Sequence, residues 1–319
     1  MNKDSIVLFK LTSSPKLAKE VADILGIALG HSEVEHFADG EVLARCPDSV
    51  RGKTCYVIQS TSTPVAERLM ETLVFLDGLR NAKAKEIDLV LPYYGFSRQD
   101  RIARPGEPIT AKLVADMLET VGVNHLITID LHTQQIQGFF SCPVDDLSSV
   151  PLFGEYYRKK LAQMQIRTED VVVVSPDHGS IHRARDLATE LPNSGLAVID
   201  KRRPAPNVAE VVNVVGDVRN KTCIVIDDII DTAGTALATT DALLKCGAKE
   251  VMIAGTHAVL SNNAIDLLLK SRIKDIVVTN SIERNVKGIN VISLAPMIAE
   301  VIKATEEGRA VPDSWMSFY

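Results

Sequence analysis

The stretch IVIDDIIDTAGT, Ile224 to Thr235, runs three β-branched residues into adjacent carboxylates, Asp227 and Asp228. Two isoleucines and a third carboxylate, Asp231, then lead into Thr232, Ala233, Gly234 and Thr235. The apolar run predicts a buried strand ending at Asp227, and ALATTDALLKCG beyond it predicts a helix closed by Gly247. Strand ends in open parallel sheets face the crevice where ligands sit. A loop of small residues entering a helix exposes backbone N–H groups beside the positive end of the helix dipole. Asp231–Thr235 therefore suits a phosphate, which bulkier side chains would hold away from the backbone. Asp227 and Asp228 would repel a phosphate and suit neutral hydroxyls such as the diol of a ribose. The stretch asks for a sugar phosphate. A plain βα turn, with Asp231 or Thr232 capping the helix, is the competing reading.

Working outward, β-branched runs alternate with helical segments along the chain. Strands are expected at Ile6–Phe9, Cys55–Gln59, Ile87–Pro92, Leu126–Asp130, Val171–Ser175, Ala197–Asp200, Ile224–Asp227, Val251–Gly255, Ile276–Thr279 and Val291–Ser293. AERLMETLVFLDGLRNA places Leu69, Leu73 and Leu76 on one helical face, and ITAKLVADMLETVG does so with Leu113, Met117 and Val121. The alternation predicts α/β architecture with mostly parallel sheets flanked by helices. Two phrases recur in order: KTCYVIQS (Lys53–Ser60) with KTCIVIDD (Lys221–Asp228), and AKEIDLVL (Ala84–Leu91) with AKEVMIAG (Ala248–Gly255). The chain reads as a tandem duplication, with domains at 1–147 and 148–319 and a C-terminal tail that can return to the first domain. Where the second copy has Asp227 and Asp228, the first has Gln59 and Ser60, so the copies share a scaffold and not a site.

Composition bounds the function. The chain has 319 residues, 46% apolar and 24% charged, with a net charge of -6. Those values fit a soluble globular protein, with no nucleic acid or anionic membrane as partner. The five cysteines are odd in number and lack a CxxC pair, which reads as reduced thiols in a cytoplasmic protein. The N-terminus has too short an apolar core for a signal peptide, and no apolar run is long enough to span a membrane.

Three further segments carry chemistry. In HFADGEV (His36–Val42), Phe37 can stack on a base while Asp39 and Glu41 accept from an exocyclic amine across the turn at Gly40. PYYGFSRQDRIARPGEP (Pro92–Pro108) is a long polar loop whose Arg98, Arg101 and Arg104 suit phosphates, since guanidinium binds oxyanions bidentately. VIDKRRPAPNVAE (Val198–Glu210) breaks from a strand into three bases that would neutralise a triphosphate.

The opening stretch resembles the phosphoribosyl diphosphate (PRPP) motif of the type I phosphoribosyltransferase fold. With its neighbours, from about Val7 to Pro296, the chain resembles the ribose-phosphate diphosphokinase (PRPP synthase) family. The resemblance implies two such domains, a homohexamer, ATP, Mg²⁺, and diphosphate transfer to C1 of ribose 5-phosphate. It places Phe37, Asp39, Gly40, Glu41, Arg98 and Gln99 at ATP, the first four reaching a neighbouring subunit's site. His132 (DLH) and Asp177 (SPDHGS) would hold the metal. Lys201 and Arg203 of K-R-R-P would be catalytic, with Arg203 also at the sugar. Asp227 and Asp228 would hold the ribose, and Asp231, Thr232, Ala233, Gly234 and Thr235 its phosphate. Departures from the family pattern are Ala205 for Arg, Ser180 for Gly, and Thr12 and Ser14 for Asn. Two alternatives remain at this level: a phosphoribosyltransferase that consumes PRPP, and a catalytically silent regulatory subunit.

Overall fold

A computed structural model describes residues 2–202 and 211–317. The chain forms two compact units: Met1–Ser148 with Asn280–Glu283 and Ser293–Tyr319, and Ser149–Thr279 with Arg284–Ile292.

In the first unit the elements are β1 (Ile6–Lys10), α1 (Pro15–Leu25), β2 (Glu33–His36), β3 (Val42–Arg45), β4 (Thr54–Ile58), α2 (Val65–Asn81), β5 (Glu86–Leu91), α3 (Thr110–Thr120), β6 (His125–Ile129) and β7 (Val144–Leu147). Among the described residues, five strands lie in the order β1-β4-β5-β6-β7, every pair parallel. All of β4 is buried, which is why TCYVI reads as one apolar run. Phe9, Val57, Phe75, Leu76, Leu89 and Leu126 fill one face, with the rings of Phe9 and Phe75 edge-on at 5.3 Å. The helix α2 buries Leu69, Leu73 and Leu76, as its spacing predicts. The helix α3 follows the expected face only in part: Met117 and Val121 pack partly buried against the core, but the fully buried stripe is a neighbouring one. It buries Ala111, Val114, Ala115 and Leu118, leaving Leu113 55% exposed. Both stripes have helical spacing, and the packing surface selected the one with smaller side chains.

The second unit contains α4 (Val150–Gln163), β8 (Val171–Ser175), α5 (Ile181–Glu190), β9 (Gly195–Arg202), β10 (Val211–Val215), β11 (Thr222–Ile230), α6 (Gly234–Lys245), β12 (Glu250–Ala258), α7 (Ala264–Leu269), β13 (Asp275–Thr279) and β14 (Asn290–Ile292). The last helix, α8 (Ala295–Glu307), belongs to the first unit. The second sheet runs β10-β9-β8-β11-β12-β13-β14, parallel except for β10. Phe153, Tyr157, Leu187 and Ile226 pack one face, and Val225, Leu243, Ile253 and Leu268 the other.

The two orders match strand for strand: β1-β4-β5-β6-β7 against β8-β11-β12-β13-β14. Each copy also inserts an antiparallel hairpin between its first and second core strands, β2–β3 in one and β9–β10 in the other. The sequence reading missed β2, β3, β7 and β10, all short or at an edge; β2, β3 and β7 have no long apolar run, and the valines of β10 are interrupted by Asn213.

Candidate functional site

In the second sheet β8 lies between β9 and β11, so the chain leaving β8 for β9 goes one way while β11 flanks the other side. That reversal opens a crevice between the loops after β8 and β11. Asp177 and Ser180 come from the first loop, Asp227 and Asp228 from the second strand. The Ser180 amide donates to Asp177 Oδ1 at 2.9 Å, and its hydroxyl donates to Asp227 Oδ1 at 3.2 Å. The Asp228 amide also donates to Asp227 Oδ1, at 3.0 Å. Burial, then the like charge of Asp228 and a side-chain hydrogen bond with it, pushes the Asp227 carboxyl up to about 8; Arg183 on α5 only partly offsets this, and Asp177 adds a smaller push upward. A carboxyl held there at neutral pH can either donate to or accept from a ligand hydroxyl.

The strand does not end at Asp227. Its pairing continues through Asp227–Gly255 and Ile229–His257 to Ile230–Ala258, so both carboxylates belong to the strand itself. Gly255 permits this extension: a Cβ there would meet Ile230 Cδ1 at 2.5 Å.

The turn after β11 is Asp231-Thr232-Ala233, and α6 begins at Gly234, two residues earlier than its apolar pattern suggests. Ala233 takes the left-handed conformation at the N-cap, with φ 68°, and its methyl side chain makes no cap bond. The N-cap position therefore falls to Ala233, and not to Asp231 or Thr232 as the competing reading has it. Backbone bonds from Leu260 N to Ile230 O at 3.0 Å and from Ser261 N to Asp231 O at 3.1 Å fix the loop. Thr232, Gly234 and Thr235 face solvent. A Cβ on Gly234 would meet nothing closer than Thr232 Oγ1 at 3.7 Å, so the fold itself does not require glycine there. An uncapped first turn beside small exposed residues can take an anion on its amides.

Of the basic segment, Lys201 is the penultimate residue of β9, opposite Val212, and Arg203 lies outside the described residues. Just before Lys201, Asp200 bonds His178 Nε2 at 3.1 Å, which ties β9 to the loop carrying Asp177.

In the first unit, Phe37–Glu41 forms the tip of the β2–β3 hairpin. His36 pairs with Val42, the Phe37 amide donates to Glu41 O at 2.9 Å, and Gly40 takes φ 94°. Phe37 is 55% exposed, a large aromatic ring left in solvent. The RQD and DLH segments come together: Thr133, next to His132, donates to Asp100 Oδ2 at 2.7 Å, and Thr110 donates to Gln99 Oε1 at 2.5 Å. Arg98, Gln99 and His132 are exposed there. His132 and Asp177 belong to different units.

The first copy's counterpart of the crevice is filled by its own side chains. Ser13 donates to Gln59 Oε1 through its amide at 2.9 Å and its hydroxyl at 2.7 Å, and the Ser60 amide donates to Ser13 Oγ at 2.8 Å. Gln59 and Ser60 are fully buried. At the start of α1, Glu283 Oε1 accepts from the amides of Lys16 and Leu17 at 2.6 and 2.9 Å. The helix terminus that could have taken an anion already holds a carboxylate. Sequence reasoning did not select Arg183 or assign Ser180 a role, because only the fold sets α5 beside β11.

Burial pushes the thiols of Cys55 and Cys223 up to about 12 and that of Cys142 to about 11, so they are poor nucleophiles at neutral pH. All five cysteines are free. No described helix is long and apolar enough to cross a membrane.

Comparison with known proteins agrees with this division. Residues 6–122 match the model of the N-terminal domain of ribose phosphate pyrophosphokinase, and residues 152–293 that of the phosphoribosyl transferase domain. The ribose-phosphate pyrophosphokinase of Bacillus subtilis is 51% identical over 311 residues, covering 96% of each chain. That of Bacillus caldolyticus is 52% identical over 308 residues, covering 95% of this chain and 96% of its own. The crystal structure of phosphoribosylpyrophosphate synthetase from Mycobacterium smegmatis superposes with a TM-score of 0.89 at 40% identity, covering 95% of this chain and 99% of that one. The chain belongs to the ribose-phosphate pyrophosphokinase family.

Proposed function

We propose that the chain transfers the β,γ-diphosphate of ATP to the C1 hydroxyl of ribose 5-phosphate. The C1 oxygen attacks the β-phosphorus in line, the bond from that phosphorus to the α–β bridging oxygen breaks, AMP leaves, and the hydroxyl proton is released. No protein nucleophile is needed. The work is positioning and charge neutralisation. The observation that carries this reading is the crevice of the second unit: paired carboxylates on β11 next to an uncapped helix terminus lined by Thr232, Gly234 and Thr235. Asp227 and Asp228 take the ribose diol, and Asp231–Thr235 take the 5-phosphate. Lys201 and Arg203 close over the diphosphate, Arg203 also reaching the sugar.

Phe37, Asp39, Gly40 and Glu41 contact ATP from a neighbouring subunit of a hexamer, and Arg98 and Gln99 contact it directly. The exposed ring of Phe37 supports the first assignment. His132 and Asp177 serve as metal ligands. Asp177 is exposed and gives Oδ1 to the Ser180 amide, which leaves Oδ2 for a cation. Among the described residues no group of three His, Cys, Asp or Glu could hold an ion. That fits Mg²⁺, which typically takes one or two carboxylates, substrate phosphates and water. When bound, the ion would neutralise charge on the transferring diphosphate. The five free cysteines, of which Cys55 and Cys223 are buried, support a cytoplasmic location.

Purified protein with Mg·ATP and ribose 5-phosphate should yield AMP and PRPP in equal amounts. Nucleotide formation from PRPP and free bases, with no AMP, would replace this reading with that of a base-adding transferase. Gly234→Val tests the phosphate loop. A Cβ there makes only an ordinary contact with Thr232 Oγ1 at 3.7 Å and the position faces solvent, whereas a phosphate on the amides would meet the added bulk, so the KM for ribose 5-phosphate should rise about tenfold or more while Tm holds.

A further inference from the structure

We propose that Ser180 is a positioning residue for the sugar, its hydroxyl fixing the orientation of the Asp227 carboxyl across the crevice between the β8 and β11 loops. The proposal rests on the assignment of Asp227 to the ribose hydroxyls. Ser180 lies at the N-terminus of α5 and is 6% exposed, so its hydroxyl has little water to bond. It is held from both directions. Its amide donates to Asp177 Oδ1 at 2.9 Å, which closes the loop after β8, and its hydroxyl donates to Asp227 Oδ1 at 3.2 Å.

At 3.2 Å the second contact is long for an O–H···O bond, so it orients more than it stabilises. Together with the Asp228 amide at 3.0 Å it places two donors on one oxygen of Asp227. These two donors, together with the side-chain hydrogen bond between Asp227 and Asp228, set the carboxyl plane that a ligand would meet. The same residue thus links the loop of the proposed metal carboxylate to the strand of the proposed sugar carboxylate, within one unit. A glycine here, the residue of the family pattern, would supply the amide bond to Asp177 without the hydroxyl bond to Asp227. The side chain therefore acts on the sugar side alone.

Ser180→Ala should raise the KM for ribose 5-phosphate about fivefold, leave the KM for Mg·ATP unchanged and hold Tm. Ser180→Thr, which keeps the hydroxyl, should restore the sugar KM. An unchanged sugar KM in Ser180→Ala would overturn the proposal. So would an equal rise in both KM values with a lowered Tm, the signature of a merely structural role. A crystal structure of unliganded Ser180→Ala provides a readout without substrate, and the Asp227 carboxyl plane should rotate from its present orientation. If the carboxyl stays put, the proposal fails whatever the kinetics. If it rotates but wild-type protein makes no AMP from ribose 5-phosphate, the proposed reaction fails and the positioning role stands.

Discussion

Asp227 sits where burial and neighbouring carboxylates act in the same direction, and both raise its proton affinity. In the unfolded chain the group titrates near its ordinary 3.8, and in the fold near 8. Between those values the native state holds more protons than the unfolded state. This group therefore costs stability progressively as pH rises from 3.8 to 8, and the cost is constant above that window. Asp227→Asn removes the titration and keeps the shape. Its Tm should exceed that of wild type by about 4 °C or more at pH 8.5, and the gain should shrink towards pH 4. The same variant should lose affinity for ribose 5-phosphate, because the amide cannot present two acceptor oxygens to a diol. Thermal unfolding across pH, paired with titration calorimetry, checks both.

At the scale of elements, what happens at strand ends distinguishes the two copies. Their C-terminal ends differ by what fills the crevice: Ser13 and Gln59 in one, Asp227 facing Ser180 in the other. At the opposite end of the first sheet, His125 at the start of β6 bonds Asp145 of β7 at 3.1 Å and approaches Asp88 of β5 at 3.6 Å. Burial alone would lower the imidazole, but the hydrogen bonds and charges of Asp145 and Asp88 outweigh it and raise it to about 9. A raised folded value contributes stability that is fully present below the unfolded value of 6.5 and lost as pH rises through about 9. His125→Gln should therefore cost about 2 kcal/mol at pH 6, with the difference from wild type fading by pH 10. Chemical denaturation at several pH values measures it. A pH-independent difference would mean that the residue acts by packing alone.

For the whole molecule, the chain returns late to the first unit. The helix α8 buries Met297, Ile298, Val301 and Ile302 there, and Tyr56 of β4 donates to Glu306 Oε1 at 2.9 Å. Each such apolar side chain contributes about 1.5–3 kcal/mol when buried, so together they are comparable to the net stability of a domain. Truncation after Ile292 should leave the first unit aggregation-prone or lower its unfolding temperature by more than about 10 °C. Differential scanning calorimetry of the shortened chain tests this, and an unaltered thermogram would show α8 to be dispensable.

The sequence alone determined the alternation of strands and helices, the duplication and the placement of the small-residue loop. These follow from local order: buried parallel strands must be apolar throughout, and a turn that leaves its backbone amides accessible must be small. It could not determine which stripe of α3 is buried, since two stripes share the same spacing. It also left open whether Asp231 caps α6 and that β11 continues past its acids, because backbone pairing with β12 decides both the strand's length and the turn's conformation. The link from Ser180 to Asp227 and the charge of Arg183 were likewise invisible. Those residues lie more than forty positions from Asp227 along the chain, and only the folding of α5 against β11 makes them neighbours.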